Sequence, residues 1–108
     1  MREPSPGAVV DALTLPVKLD GATGLVELGS FAGTTVGIWE MTPGVDEDVE
    51  DDELFIVLAG HGTVEFLPGE GEPALPAITL CPGSVVRLTA GMRTRWAVTE
   101  TLRKVWIA

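Results

Sequence analysis

The stretch of residues 53–60 constrains the fold of this chain more than any other. It begins with the carboxylate of Glu53, continues with six apolar residues and ends at Gly60. An apolar run of this length, rich in β-branched and aromatic residues and closed by a glycine, predicts a strand that is apolar on both faces. A second strand framed by glycines follows at residues 83–91. Two such strands predict a core built from β-sheet.

The remainder of the chain consists of short apolar segments separated by turn-forming residues. These segments are rich in β-branched residues, and 13 Gly and 8 Pro are scattered between them without helical periodicity. Several short strands with regular turns indicate an all-β sandwich or barrel. The predicted strands are residues 15–19, 25–28, 35–41, 53–58, 62–67, 77–81, 84–88, 95–99 and 103–107.

The length and the turn signals predict a single domain. A chain of 108 residues suits one domain spanning residues 1–108, in which residues 1–14 form an N-terminal arm, either loose or paired with a neighbouring subunit. The Ala-Gly-His-Gly sequence at 59–62 predicts the tight turn of a hairpin, because glycine allows positive φ. Residues 68–73 are polar and rich in turn formers, so we expect an exposed loop.

The charge of the chain argues against several classes of partner. The net charge is −9, and an acidic surface repels the phosphates of nucleic acids and of anionic lipids. No stretch approaches the ~20 apolar residues that span a membrane, and the first residues lack the apolar run of a signal peptide. The single cysteine, Cys81, cannot form an internal disulfide. We therefore expect a cytoplasmic protein without nucleic-acid or membrane partners.

The first of the two glycine-framed strands resembles the first signature of the cupin β-barrels. That signature has a Pro-Gly turn and two histidines separated by one residue. A glutamate follows three or four residues later, and then an apolar strand that ends in glycine. Pro43 and Gly44 match the turn, Glu53 matches the glutamate, and Gly60 matches the final glycine.

The second strand resembles the second cupin signature, which runs from a glycine through a Pro-x-Gly motif to a histidine. Gly83 and Gly91 match its glycines, whereas Thr89 stands at the proline and Thr94 at the histidine. The resemblance implies a cupin-type double-stranded β-helix, which is a jelly-roll barrel. It also implies a homodimer, since cupins of this size commonly dimerise.

Further segments resemble one branch of the cupins. This branch contains the ethanolamine-utilisation cupins and the ureidoglycine aminohydrolase-like cupins. The segments are residues 37–40, 42–44, 96–100 and 103–106, and the resemblance extends over residues 35–108. Because one fold hosts many functions, this likeness implies a fold more strongly than an activity.

The residues at the expected metal-ligand positions do not suit a transition metal. Metal-binding cupins hold a divalent ion with imidazoles and one carboxylate. Counting back from Glu53, the two histidine positions fall on Glu47 and Val49, or on Asp46 and Asp48. Neither register supplies an imidazole, and we therefore expect no bound metal and no cofactor.

Two further features bear on a metal site. The one histidine of the chain, His61, lies after the first signature strand, where we expect it in a surface turn. The acidic segment 46–53 could offer oxygen ligands to calcium, magnesium or manganese. Acidic runs are usually solvated, so an exposed loop is the preferred interpretation.

A pocket is predicted from the alternation of side chains along the strands. Glu53 and Phe55 share one face of their strand, which by resemblance looks into the barrel, as do Thr94 and Trp96. One acid, one hydroxyl and two aromatic rings suit a small organic molecule with a polar end. Alternatively, Phe55 and Trp96 only fill the core. The predicted ligand-binding residues are Glu53, Phe55, Thr94, Trp96, Trp39 and Arg87.

An inward carboxylate at Glu53 needs a partner or a proton, because burial of an unpaired charge is costly. The candidate partners are Arg87, Arg93 and Arg95, although Arg87 could instead bind a substrate carboxylate or point to solvent. If no partner is present, burial would raise the pKa of Glu53, which could then act as a general acid or base. Glu53 is therefore the candidate catalytic residue.

Three functions are consistent with these predictions. The first is a metal-independent protein that binds a small molecule. The second is an enzyme that acts on a small amine, amide or ureido metabolite with Glu53 as its acid or base. The third is a structural dimeric module whose barrel is filled by its own side chains. A barrel interior filled by side chains would favour the third function, whereas an open interior would favour the other two.

Overall fold

The computed structural model describes residues 6–108, and every regular element in that range is a β-strand. This confirms the prediction of an all-β fold. The seven strands are β1 (Thr23–Phe31), β2 (Thr34–Met41), β3 (Gly44–Val49), β4 (Glu53–Phe66), β5 (Ile78–Leu80), β6 (Val85–Leu88) and β7 (Arg93–Ile107). Within the described range, no helix has the length and apolarity needed to cross a membrane.

Two long antiparallel strands, β4 and β7, pair with each other along most of their length and take part in both sheets of the fold. The first half of β4 and the second half of β7 lie in a sheet of order β1-β2-β7-β4-β6. The second half of β4 and the first half of β7 lie in a sheet of order β3-β7-β4-β5. The fold is therefore two sheets that share their central strands.

An irregular segment at residues 59–62 connects the two halves of β4. The β4–β7 register shifts three times between Val57 and Gly62, and Gly60 has a φ of +91°. Because a bulge bends a strand and increases its twist, β4 passes from one sheet to the other without a turn. The prediction of a hairpin turn at 59–62 is therefore wrong. The glycines there mark a bulge inside a single strand.

Four other predicted elements differ from the structure. Residues 95–99 and 103–107 belong to the single strand β7. The acidic segment, expected to be a loop, overlaps the exposed edge strand β3, which pairs with β7. Residues 15–19 form no strand, and only an isolated bridge joins Asp20 to Thr23. Residues 68–73 lie outside the strands, as predicted.

The hydrophobic core lies between the two sheets. Alternate residues of β4 and β7 point into it, including Phe55 and Val57 on one strand and Trp96 and Val98 on the other. Their burial confirms the predicted inward face of each strand. The fully or nearly buried cluster consists of Met41, Phe55, Val57, Val64, Leu80, Leu88, Trp96, Val98 and Leu102.

Arg103 holds the N-terminal segment against the outer face of the larger sheet, which is the five-stranded sheet β1-β2-β7-β4-β6. Its guanidinium donates hydrogen bonds to the carbonyl oxygen of Ala12 at 2.7 Å, to that of Leu15, and to the carboxylate of Glu40 at 3.2 Å. On β2, Ile38 is also fully buried, although it does not belong to the core cluster between the sheets. The described part of the predicted arm is thus in contact with the domain, whereas residues 1–5 lie outside the described residues.

Replacing Gly60 by Ala is expected to destabilise the fold more than replacing Gly83 by Ala. Both glycines have positive φ, +91° and +94°, so both variants bear a left-handed backbone cost of about 1–2 kcal/mol. A Cβ at Gly60 would overlap the carbonyl of Thr101, whereas one at Gly83 meets nothing within 4 Å. Urea unfolding should show an additional loss of about 1–3 kcal/mol for Gly60→Ala. Equal losses would contradict a close backbone approach at the bulge.

Candidate functional site

A cavity of about 380 Å³ opens at one end of the barrel, between the larger sheet and β3. The larger sheet contributes aromatic residues to its wall, namely Trp39 from β2 and Trp106 from β7. Trp96, from the other half of β7, completes this aromatic lining. The six carboxylates that line the cavity are Asp46, Glu47, Asp48, Glu50, Asp51 and Glu53.

Lys104 also lines this cavity, and its side chain is almost fully buried. The residue is 4% exposed and pairs across the sheet with Trp39 on β2 and Val57 on β4. Its Nζ lies 4.8 Å from the ring centre of Trp39, 4.2 Å from that of Phe55 and 4.8 Å from that of Trp96. An ammonium at these distances is attracted by the negative faces of all three rings.

The carboxylate of Glu53 neutralises Lys104. Lys104 Nζ donates a hydrogen bond to Glu53 Oε2 at 2.7 Å, and both side chains are largely shielded from solvent. The prediction that Arg87, Arg93 or Arg95 neutralises Glu53 is therefore wrong. Arg95 instead lies 3.2 Å from Glu47 on the exposed side of β3.

Burial lowers the pKa of Lys104, because removal from water disfavours its charged form. The charge and hydrogen bond of Glu53 oppose this effect, and the charges of Glu50 and Asp48 add smaller contributions in the same direction as Glu53. The balance of these effects leaves the pKa of Lys104 below its ordinary value of 10.5. The amine can therefore lose its proton more readily than an exposed lysine.

Glu50 is the buried member of the acidic segment and organises the residues beneath the cavity. It is 8% exposed, and its Oε2 accepts hydrogen bonds from Thr94 Oγ1 at 2.6 Å and from Trp96 Nε1 at 3.0 Å. Its backbone also bonds to Gly91 and Met92 in the β6–β7 connection. These bonds fix the orientation of the Trp96 ring, which contacts both the core and the cavity.

The cavity has an excess of negative charge. Its described lining contains the six carboxylates named above and one ammonium, so their formal charges sum to about −5 at neutral pH. Negative walls attract cations and repel anions. The site is therefore suited to a neutral or cationic molecule rather than to an anionic one.

The residues around Glu53 do not fit a divalent metal. Glu53 is bonded to Lys104, and Thr94 donates its hydroxyl proton to Glu50. In residues 6–108, no group of three or more histidine, cysteine, aspartate or glutamate side chains is arranged to hold an ion. His61 lies on the bulge of β4, where its ring nitrogen is 3.2 Å from the exposed Glu100.

The six predicted ligand-binding residues occupy three kinds of position. Glu53, Trp39 and Trp96 line the cavity. Phe55 and Thr94 are fully buried and support the cavity from below, without lining it. Arg87, predicted to bind ligand if it faced inward, does not line it either. It pairs with the outward residue Leu54, so its exposed side chain lies on the outer face, 3.9 Å from Asp52.

Sequence reasoning missed Lys104 and Glu50 as functional candidates. The sequence does contain a signal for Lys104. It lies two positions before Trp106 on the same strand, so the two side chains point to the same face. No comparable signal identifies Glu50, since its burial depends on contacts with the distant residues Thr94 and Trp96. Trp106 also lines the cavity, and a Cβ on Gly37 would overlap its ring.

A second cavity of about 420 Å³ lies beneath residues 67–75. It is lined mainly by loop residues and the β6–β7 connection, with Glu72 and Arg93 as its charged residues. The carboxylate of Glu72 accepts a hydrogen bond from the backbone of Gly69 within the same loop. This cavity lacks a buried ion pair, so the first cavity is the stronger candidate for chemistry.

Comparisons with known proteins agree with this architecture. The sequence model of the EutQ-like cupin domain matches residues 28–106. No curated protein sequence matches the chain.

Solved structures extend the likeness to nearly the whole chain. The EutQ protein of Clostridium difficile is 15% identical with a TM-score of 0.71, over 92% of this chain and 83% of that one. A putative ethanolamine utilization protein Q from Salmonella typhimurium is 21% identical with a TM-score of 0.70, over 93% and 83%. A cupin superfamily protein from Desulfitobacterium hafniense is 14% identical with a TM-score of 0.68, over 100% and 94%. At these identities, the likeness establishes the cupin fold.

The pKa of Lys104 provides a direct test of the buried ion pair. The chain has two lysines, so selective ¹³Cε labelling gives two lysine signals for an NMR titration. The Lys104 signal should titrate below the ordinary lysine value of 10.5. Glu53→Gln should lower that pKa further, because it removes the nearest charge that stabilises the ammonium. Glu47→Gln, at a residue bonded to Arg95, is the control and should have a much smaller effect.

The Thr94–Glu50 hydrogen bond can be tested by Thr94→Val, which keeps the shape of the side chain and removes its hydroxyl. A hydrogen bond to a charged group contributes about 1.5–3 kcal/mol, so the free energy of unfolding should fall by about that amount. Thr63→Val on the exposed face of β4 is the matched control and should change stability by less than about 0.5 kcal/mol. A similar result for both variants would contradict the role assigned to Thr94.

Proposed function

This chain belongs to the family of EutQ-like cupin domains, and we propose that it is a metal-independent protein that binds a small neutral or cationic organic molecule. The observation that carries the proposal is the position of Lys104. Its ammonium is held by Glu53 and by three aromatic rings at the base of an open cavity. A charged group buried beside open space is a common feature of binding sites.

The shape of the barrel interior supports binding over a purely structural role. The deeper part of the barrel is filled by apolar side chains, as a structural module requires. The part above Trp96 contains the cavity of about 380 Å³, which is within the usual range of about 300–1,000 Å³ for small-molecule sites. The proposed ligand therefore contacts the upper layer of the barrel, and Phe55 and Thr94 support that layer.

The composition of the cavity supports the proposed class of ligand. Trp39, Trp96 and Trp106 offer aromatic surface for the apolar part of a molecule. The carboxylates at the rim favour a positive or neutral polar end, since an anion would meet their repulsion before it reached Lys104. We therefore expect binding to weaken in the order cationic, neutral and anionic for molecules of equal size.

A second candidate function is an enzyme that acts on a small amine, amide or ureido compound. The 2.7 Å hydrogen bond between Lys104 and Glu53 supports it, because such a pair can exchange a proton beside the cavity. In this proposal Glu53 is the acid or base. Glu53→Gln should abolish turnover of such a compound while binding persists. Unchanged turnover in that variant would remove Glu53 from the chemistry.

The proposal includes a cytoplasmic homodimer. Exposed apolar residues on the edge strand β1 support association, because Leu25 is 55% exposed and Phe31 is 67% exposed. A dimer that covers this strand should dissociate on Phe31→Asp. Sedimentation of the wild type as a monomer at micromolar concentration would contradict the dimer and leave the ligand proposal standing.

The tryptophans provide a direct binding assay. The chain has three tryptophans, which all line the cavity, and no tyrosine. Butylammonium, 1-butanol and butyrate share an apolar body and differ in charge. Titration of each compound should shift the three indole N–H signals in the NMR spectrum, with butylammonium binding tightest and butyrate weakest.

Two variants separate the cavity from the rest of the surface. Trp39→Ala removes one aromatic wall and should weaken butylammonium binding by about tenfold, the loss expected when apolar contact worth about 1–2 kcal/mol is removed. Arg87→Ala, on the exposed outer face, is the control and should leave binding unchanged. No indole shift with any of the three compounds at millimolar concentration would overturn the proposed cavity site.

A further inference from the structure

We propose that Lys104 is a nucleophile that captures a small neutral or cationic aldehyde or ketone as an imine within the cavity. This inference rests on the proposed binding function and adds a covalent step to it. The geometry points to Lys104 because this residue lines the cavity and its Nζ lies 2.7 Å from Glu53 Oε2. A buried lysine with a carboxylate partner has the two groups that imine formation requires, an amine and a proton carrier.

The step balances with these two side chains. The Lys104 ammonium passes one proton to the Glu53 carboxylate, and the neutral amine attacks the carbonyl carbon while the carbon–oxygen double bond becomes a single bond. A second nitrogen-bound proton moves to the oxygen, which gives the neutral carbinolamine. Glu53 then returns its proton to the hydroxyl, and water leaves as the nitrogen lone pair forms the iminium double bond. The products are the iminium, one water and the original carboxylate.

The surroundings of Nζ stabilise the positive charge before and after this step. Three aromatic ring centres lie within 4.2–4.8 Å of Nζ, and Glu53 provides the counter-ion. An iminium at the same atom keeps the positive charge beside these groups, so the product meets the same favourable interactions. The step therefore leaves no unpaired charge in the buried site.

The substrate class follows from the walls of the cavity. Butyrate-like anions and carbonyl acids are repelled by the rim carboxylates, which include Asp46, Asp48 and Asp51. A neutral aldehyde, or a carbonyl compound with an amine at its far end, avoids this repulsion. The amine end would contact the acidic rim while the carbonyl carbon reaches Lys104.

Reductive trapping tests the inference. The protein is incubated with propionaldehyde and sodium cyanoborohydride, which converts an imine into a stable propylamine, and the labelled position is found by peptide mass spectrometry. The chain contains two lysines, and the other one, Lys18, is exposed. Lys18 is therefore an internal control in the same molecule. We expect Lys104 to be labelled faster than Lys18, because burial lowers the pKa of Lys104 and so increases its fraction of free amine.

Variants and a second readout complete the design. Lys104→Met should lose the label at position 104 and keep the label at Lys18. Glu53→Gln also increases the fraction of free amine at Lys104, so the rates are compared per free amine, from the pH dependence of labelling. That rate should fall at Lys104, because the variant removes the proton carrier, and should stay unchanged at Lys18. Slower labelling of Lys104 than of Lys18 in the wild type would overturn the inference. If butylammonium still shifts the indole signals in that case, the binding proposal stands, whereas the absence of both effects would overturn the two proposals together.

Discussion

The pairing of β4 with β7 is the constraint on which the rest of the structure depends. Each strand runs through both sheets, so the two sheets share a continuous backbone instead of meeting only through side chains. The bulge at residues 59–62 makes this arrangement possible, because it bends β4 where the sheets diverge. Gly60 has positive φ and lies directly against Thr101, so the bend needs a residue without a side chain.

The same pairing places two neighbouring cations on opposite faces of one sheet. Arg103 points outward, where it bonds to Ala12, Leu15 and Glu40, and Lys104 points inward to Glu53. A shift of one residue in the register of β7 would exchange these faces and leave both charges without their partners. Burial of charge is costly without compensation, so these two ion pairs also specify the register.

The sequence predicted the fold better than the site. Alternation along residues 53–58 correctly placed Phe55 and Val57 inside, because burial on a strand has a period of two. The glycine at position 60 predicted a positive φ, but a positive φ occurs in turns and in bulges alike. The sequence around Gly60 therefore did not distinguish the two. The partner of Glu53 was not predictable from its own surroundings in the chain. Lys104 is 51 residues away, and its position depends on the β4–β7 register.

The ion pair at Lys104 also determines when the positive charge beside Glu53 is acquired. A positive charge that belongs to a side chain is present in every folded copy, at fixed stoichiometry. It requires no delivery or insertion step, and its presence does not depend on the concentration of any free ion. The barrel therefore acquires the cation beside Glu53 at the moment when β7 pairs with β4. The ion pair and the strand pairing therefore form together.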